Sequence, residues 1–455
     1  MSYVNPRIYS AGDAWATWEI NESLDKELAR DPKVKNVYYS YRLPLVHVIR
    51  KARDQGILVD QDNVKAGLQD LEVQRADARA LAQAASGWPM NLGSPVQVSG
   101  ALKGFFSGIK LKSVKADLLR ALKTRLLKSG DDVPHLLDAR LQFSEAESVA
   151  KYLRMMQDQT EVHPHILPTQ ANGRWSTTDP PLPGFPRKMA DGKTPFPLVI
   201  KPFPHTYWIK FDLKAIEARI AAAYAGDQDD LEAFANGYDI HTITACTMIY
   251  NMPLPPDLHD PHTTPTCEAW RQSWSPPWNG KEDLRRQISK NTRYATLYSY
   301  DQSGKSILGQ KDIERSGLDR DMLVHAARKY MARKRELWVY KLKMAQRSVR
   351  TGVAYSFLGH RRRLYGDDDM KKKLGWNTMV SSSVSDMMNS FFIEIDRQFP
   401  TSRVIVNRHD GAEIEFPNEI PCDVSLLALR KIVERSWEIN GNTFTSMADW
   451  KMVAA

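Results

Sequence analysis

The chain has 455 residues, 42% hydrophobic and 26% charged, enough apolar material for a sizeable core and for roughly three domains of usual size. No run approaches the roughly 18 apolar residues that span a bilayer; the start MSYVNPRIYSAGD has no apolar signal-peptide stretch, and Cys246, Cys267 and Cys422 are too scattered for a disulfide framework. These observations argue against membrane-spanning and disulfide-rich secreted classes and fit reduced thiols in a cytoplasm, while a net charge of +9 makes a polyanionic partner plausible.

Residues 11–28 read as a helix with Trp15, Trp18 and Ile20 as apolar anchors, on a segment too short to be a domain, so it is expected to pack on something else. From about 46 to 85 the pattern gives two helices in antiparallel arrangement, interrupted by Gly56 and a short apolar run at 57–59. Residues 87–95 break the helix. A basic segment with Lys103, Lys110, Lys112 and Lys115 follows, and helical spacing resumes at 118–127 and 146–156, which reads as a helical arm with a basic tip. Residues 163–204 are proline-rich extended chain, with Pro180, Pro181, Pro183 and Pro186 crowded together.

At 207–219 the sequence YWIKFDLKAIEAR runs from buried-strand residues into helix formers, and Asp212 stands where the strand ends. A carboxylate there is held by rigid backbone and open on one side, which suits a metal ligand; equally, Asp before a helix is a common N-cap. Helices are expected at 231–234 and 241–250. The stretch 251–280 is insertion-like, with seven prolines and Trp270, Trp274 and Trp278; its His259, His262 and Cys267 fit no familiar zinc spacing and are read as loop residues without chemistry.

On the helix expected at 284–299, Arg286, Lys290, Tyr294 and Tyr298 recur every fourth residue and share one broad face. Cations can hold a polyphosphate while rings stack on a base, so the face suits a nucleotide lying lengthwise; the alternative is a solvated basic end and a core-packed tyrosine end. Cations also crowd at 328–350, 361–363 and 371–373, and repel one another unless something negative binds nearby. Residues 404–417, VIVNRHDGAEIEFP, form a hairpin pattern with Asp410 and Gly411 between the strands. Asp410 is either turn chemistry or a second acid meeting Asp212 across neighbouring strands, the pair sharing two divalent cations about 3.5 to 4 Å apart.

In this order the stretches resemble the family A DNA polymerases, the group typified by bacterial DNA polymerase I. Asp212, Ile216, Glu217 and Arg219 look like its first palm motif, Arg286, Lys290, Tyr294 and Tyr298 like its fingers helix, and His409 with Asp410 like its last palm motif. Ser94, Pro95 and Gln97, then Gly173, Arg174, Ser176, Asp179 and Pro180, then Asn236, Gly237, Asp239, Ile240 and His241 agree, as do 352–361 and 377–386. The resemblance implies an α+β right hand with helical thumb, antiparallel-sheet palm and helical fingers. Its segments would be an exonuclease-like remnant or docking segment at 1–45, a thumb at 46–162, palm at 163–224 and 376–455, and fingers at 225–375 carrying the insertion.

It also implies roles. Asp212 and Asp410, with the Leu213 carbonyl, would bind two Mg²⁺ ions, or Mn²⁺ in their place; Arg286, Lys290 and His241 would hold the incoming triphosphate, Lys290 also protonating pyrophosphate. Glu217 would act as the steric gate against a ribose 2′-hydroxyl, and the Tyr294 hydroxyl would replace the sugar 3′-hydroxyl, so that dideoxynucleotides are accepted. Tyr298, Arg174, His409, Asn377, Ser381, Lys373 and Arg361 would face template and primer. Departures are Gly411 where a third acid is usual, Ala295 and Ser299 for glycines, Ser381 for a glutamine, Lys373 for an arginine, and Pro181 and Pro183 for polar duplex contacts. These bear on processivity and mismatch sensing more than on chemistry.

Tyr9 and Asp13 look like the last motif of a 3′ to 5′ exonuclease whose first acids have no room upstream. This implies a chain without proofreading, unless a separate exonuclease subunit docks on 1–45; a processivity factor is a further partner. The setting implied is bacteriophage or mobile-element DNA replication in a host bacterial cytoplasm, with primer-template DNA and dNTPs as partners and no membrane. A single-subunit RNA polymerase and an inactive polymerase-like DNA-binding protein are the alternatives.

Overall fold

The computed structural model describes residues 6–105, 114–129, 134–186, 188–189, 196, 199–281, 283–300 and 320–454. Lys110 and Lys112 of the expected basic tip lie outside the described residues.

The first helix, α1 (Pro6–Ala29), forms where the pattern puts it, but Trp15, Trp18 and Ile20 are 64%, 57% and 59% exposed. Exposed to that degree they do not bury α1 as expected, and its apolar side chains are not gathered in one stripe. After α2 (Pro32–Val37), α3 (Leu43–Asp54) buries Leu45, Val48, Ile49 and Ala52 at helical spacing. Gly56, at φ +63, turns the chain into β1 (Ile57–Val59). The Asp60 side chain caps α4 (Gln61–Ser86), which ends at left-handed Gly87.

Then follow α5 (Pro95–Phe105), α6 (Ala116–Ser129) and α7 (His135–Met156). The expected antiparallel pairing of α3 with α4 is not what forms. The turn through β1 redirects the chain, so α4 lies along α7, with Val64 and Leu71 in one cluster with Val149, Ala150 and Leu153. The stripe of α3 faces the central core instead.

The proline-rich stretch is extended as expected, with β2 (Glu161–Val162), β3 (His165–Leu167), β4 (Ser176–Thr178), one 3₁₀ turn at Leu182–Gly184 and β5 (Ile200–Lys201). Next come β6 (Thr206–Leu213), α8 (Ile216–Ala225), α9 (Gln228–Ala235) and α10 (Ile240–Thr244), the last continued by a π turn to Tyr250. The short α11 (Glu268–Gln272) lies in the insertion, ahead of α12 (Leu284–Tyr298), α13 (Arg320–Arg333), α14 (Arg335–Thr351), β7 (Val353–Tyr355), β8 (Arg361–Arg363) and the long α15 (Asp368–Gln398). The chain closes with β9 (Arg403–Asn407), β10 (Gly411–Pro417), α16 (Cys422–Val433), β11 (Ser436–Ile439), β12 (Asn442–Thr445) and β13 (Ala448–Ala454).

The architecture is α+β, organised on an antiparallel sheet of order β13-β6-β10-β9. Tyr207, Ile209, Phe211 and Leu213 on one face of β6 join Phe391, Phe392 and Trp376 of α15 in the main core. The Trp376 indole also donates to the Leu297 carbonyl at 2.8 Å, tying α15 to the end of α12. On β10, Glu413 and Glu415 alternate with apolar residues as if facing water, yet both are buried. Glu415 accepts from Arg403 at 2.5 Å and from the Trp208 indole at 2.9 Å, and Glu413 has Lys210 and Arg408 each at 3.3 Å. Buried carboxylates persist because cations meet them. Among the described residues no helix is long and apolar enough to cross a membrane.

Candidate active site

Register brings the two acids together. Asp212, next to last in β6, lies opposite Gly411 of β10 and Asp449 of β13, and the Leu213 N–H donates to the Asp410 carbonyl at 2.7 Å. Asp410 therefore sits at the same sheet end as the exposed Asp212. Burial, then the negative charges of Asp212 and Glu217, push Asp410 up to about 6. The capping alternative for Asp212 does not hold, since the residue preceding α8 is Ala215, left-handed at φ +50, with no side-chain cap. Gly411 is required where it stands: a Cβ there would lie 2.6 Å from the Phe211 carbonyl oxygen and 2.8 Å from Asp212 Oδ1.

Above the acids, the first turn of α8 presents Glu217, whose Oε1 is 3.3 Å from Arg174 Nη2. Tyr294 and Tyr298 of α12 come down toward the same place. Burial raises both phenols, reinforced at Tyr294 by Glu217, Asp410 and Asp212 and at Tyr298 by Glu217. The Tyr298 hydroxyl is buried beside Glu217 without a well-aligned hydrogen bond.

Toward the start of α12 the cations differ in state. Lys290 is exposed, whereas Arg286 is held by Asp239, Nε to Oδ2 at 2.8 Å and Nη2 to Oδ1 at 3.1 Å. Asp239 also caps α10, accepting from the His241 N–H and the Thr242 hydroxyl. Despite burial, its His262 and Arg286 partners hold it well below the usual carboxylate range. His241 is buried with its ring 6.2 Å from that of Tyr294 and its Nδ1 without a partner. Burial, then Arg293 and Arg286, lower it to about 3, so the imidazole is neutral.

Much of the crowded positive charge is answered within the chain. Arg285 bonds Asp283, Arg293 reaches Asp230 at 2.5 Å, and Lys334 reaches Asp227 and Asp230 at 2.9 and 2.6 Å. These cations are turned inward, so the repulsion expected of them is relieved without a ligand. Arg361 is exposed, with Asp31 at 3.7 Å.

On α15, Lys373 and Asn377 are exposed; Ser381 is buried and its hydroxyl donates to the Asn377 carbonyl at 2.7 Å. Exposed His409 has left-handed φ +74, and partial desolvation with the nearby Arg174 charge lowers its pKa.

Sequence reasoning gave Asp239 no role and missed Asp449, which faces Asp212 across the strands and pairs with Lys214 at 2.8 Å. His262, read as a loop residue, is a buried partner of Asp239 at 2.8 Å. Among the described residues no three His, Cys, Asp or Glu side chains cluster as a metal site.

Residues 61–254 match the model of DNA polymerase family A. The chain is 21% identical to DNA polymerase I of Chloroflexus aurantiacus over 438 residues, which is 90% of this chain and 42% of that protein. It is 23% identical to DNA polymerase I of Pseudomonas aeruginosa, over 90% of this chain and 44% of that protein. Its fold matches, at TM-score 0.75 and 20% identity, the structure of the POL domain of Pol1 from M. smegmatis in complex with DNA primer-template and dNTP, covering 96% of this chain and 74% of that one.

In sequence and fold the chain is similar to the polymerase domain of family A DNA polymerases. The chain spans less than half the length of those two curated relatives. The matched segment, 61–254, runs from the start of α4 past Asp212, Glu217 and His241 into the insertion, while α12 and Asp410 lie beyond it.

Proposed function

We propose that the chain is a DNA-directed DNA polymerase that adds dNTPs to a primer 3′-hydroxyl. One observation carries the reading: the sheet end holding Asp212 and Asp410 faces the aromatic half of α12, with Glu217 between them, so that Tyr294 feels the charge of all three acids. In this reading the acids are the metal-binding floor, Glu217 the sugar filter and the α12 rings the base-stacking wall.

The donor set fits divalent cations. Asp212 and Asp410 are hard oxygen ligands at one sheet end, and burial, then the charges of Asp212 and Glu217, push Asp410 up. Asp212, Asp410 and the Leu213 carbonyl would hold two Mg²⁺ ions, with Mn²⁺ able to replace them. Bound there, the ions would supply charge neutralisation for the triphosphate and a more acidic primer hydroxyl.

The residues do the rest. Arg286 and Lys290 bind the phosphates, and neutral His241 assists them through its ring N–H. Lys290 Nζ gives its proton to the departing pyrophosphate oxygen as the primer oxygen bonds to the α-phosphorus. Glu217, steadied by Arg174, fills the space a 2′-hydroxyl needs, which favours dNTP over NTP. Tyr298 lines the position of the templating base. Arg174, His409, Asn377, Lys373 and Arg361 face the duplex and template, with Ser381 bracing Asn377 from behind.

The setting extends the reading. Phage or mobile-element replication in a bacterial cytoplasm suits the three free cysteines. A separate exonuclease subunit would find exposed Tyr9, Trp15 and Trp18 on α1.

Primer extension on a defined template tests the reading. Extension with dNTPs, abolished by Asp410→Ala, is expected. Extension with NTPs alone would favour an RNA polymerase, and DNA binding without extension an inactive relative.

A further inference from the structure

The segment 251–280 plays no part in the function above, yet it is tightly built. Trp270, Trp274 and Trp278 recur every fourth residue and pack on one another at 5.1 to 5.7 Å between ring centroids, in one cluster with Cys246 and Cys267. Two connections lead from this cluster to the start of α12. In the first, the Arg285 guanidinium lies 4.7 Å over Trp274 and 5.2 Å over Trp278 while bonding Asp283, the N-cap of α12. The second is His262. Its side chain is 4% exposed and its ring stacks on Trp278, with planes 17° apart.

The hydrogen bonds of His262 fix its tautomer. The Trp278 indole N–H donates to His262 Nδ1 at 3.2 Å. Because an indole only donates, Nδ1 must be the bare nitrogen, and the proton is on Nε2, which donates to Asp239 Oδ2 at 2.8 Å. The same Oδ2 accepts from Arg286 Nε. Arg286 Nη1 donates to the Lys281 carbonyl at 3.2 Å, so with its two bonds to Asp239 three of its N–H groups are engaged and two remain for a ligand.

We infer that His262 is a positioning residue for nucleotide binding: from the insertion it fixes the Asp239 carboxylate, and through it the Arg286 guanidinium that grips the triphosphate. The inference rests on the polymerase reading of Arg286. Arginine is a long, flexible side chain, and a phosphate-binding arginine held by a buried carboxylate needs that carboxylate held in turn. Without the His262 donor, Asp239 keeps its α10 bonds but can rotate, and Arg286 rotates with it. The tryptophan cluster is the rigid mount for this brace.

Single-turnover incorporation on a primer-template, measured over a range of dNTP concentrations, tests it. His262→Phe keeps the ring on Trp278 and removes the donor. It should weaken apparent dNTP affinity about tenfold while leaving the rate at saturating dNTP and the affinity for DNA near wild type. His262→Gln, whose amide N–H reaches the same place, should recover most of the loss. Polar but shorter His262→Asn should not, and it serves as the loss variant if the Phe protein does not fold.

In an Arg286→Ala background, the His262 substitutions should have no further effect. Unchanged dNTP affinity in the loss variants, or an equal loss with and without Arg286, overturns the inference. If Arg286→Ala itself leaves dNTP affinity unchanged, the assignment of Arg286 fails, and the brace with it.

Discussion

Restoring an acid, or even a methyl group, at position 411 should harm this protein, although relatives of the kind it resembles carry glutamate there. A Cβ on Gly411 would sit 2.6 Å from the carbonyl oxygen of Phe211, a backbone atom of the neighbouring strand that cannot swing away. Reaching the 3.4 Å of ordinary contact requires β10 and β6 to part by about 0.8 Å at the register position of Asp212. Overpacking of this kind costs about 1–3 kcal/mol, against which replacing a strand glycine returns only about 0.5–1 kcal/mol.

The larger effect falls on chemistry, since moving a reacting group by about 1 Å can cost on the order of a hundredfold in rate. Gly411→Ala should therefore lower the melting temperature by a few degrees and the single-turnover rate by on the order of tenfold to a hundredfold, with DNA affinity unchanged. Gly411→Glu should be no better. Thermal unfolding and single-nucleotide incorporation measure both, and a Gly411→Ala protein with wild-type stability and rate would show that the strands do not meet as tightly as described.

Asp410→Asn should trade activity for stability. The folded pKa of Asp410, about 6, lies above the ordinary carboxylate value, so between about 4 and 6 the unfolded chain holds fewer protons and stability falls as pH rises. Without divalent ions the variant should be more stable than wild type at pH 8, by on the order of 1–3 kcal/mol, and the difference should vanish near pH 4; thermal melts in chelator at the two pH values decide, and equal stability at pH 8 counts against the acid pair. Glu217→Ala should raise NTP use relative to dNTP by on the order of tenfold or more in competitive extension, as loss of a steric gate requires. Tyr294→Phe should sharply reduce dideoxynucleotide termination in a sequencing-type reaction while leaving dNTP extension intact; unchanged termination counts against the role given to the hydroxyl.

What the sequence made legible was local pattern. The aromatic and β-branched run at 207–213, the hairpin at 404–417 and the four-residue repeat on α12 each carry their own periodicity and each forms, except that Gly411, expected between the hairpin strands, is the first residue of β10. Less legible were features set by partners distant in the chain. Glu413 and Glu415 look solvent-facing until Arg403, Arg408 and Lys210 are seen to meet them. The inward turn of Arg293 and Lys334 depends on Asp227 and Asp230, roughly sixty to a hundred residues earlier. The Trp270, Trp274 and Trp278 spacing was a signal for a packed insertion, but nothing in it points to Asp239. For Trp15 and Trp18 the spacing gave a helix without saying what, if anything, it meets.

The most direct test is single-nucleotide incorporation by the purified chain on a primer-template with Mg²⁺, comparing wild type with Asp212→Asn and Asp410→Asn at matched DNA occupancy. Templated addition of the complementary dNTP by wild type, and loss of at least about a thousandfold in rate in each variant with DNA binding retained, is expected if both acids hold the reacting groups. Undiminished incorporation in either variant would contradict it.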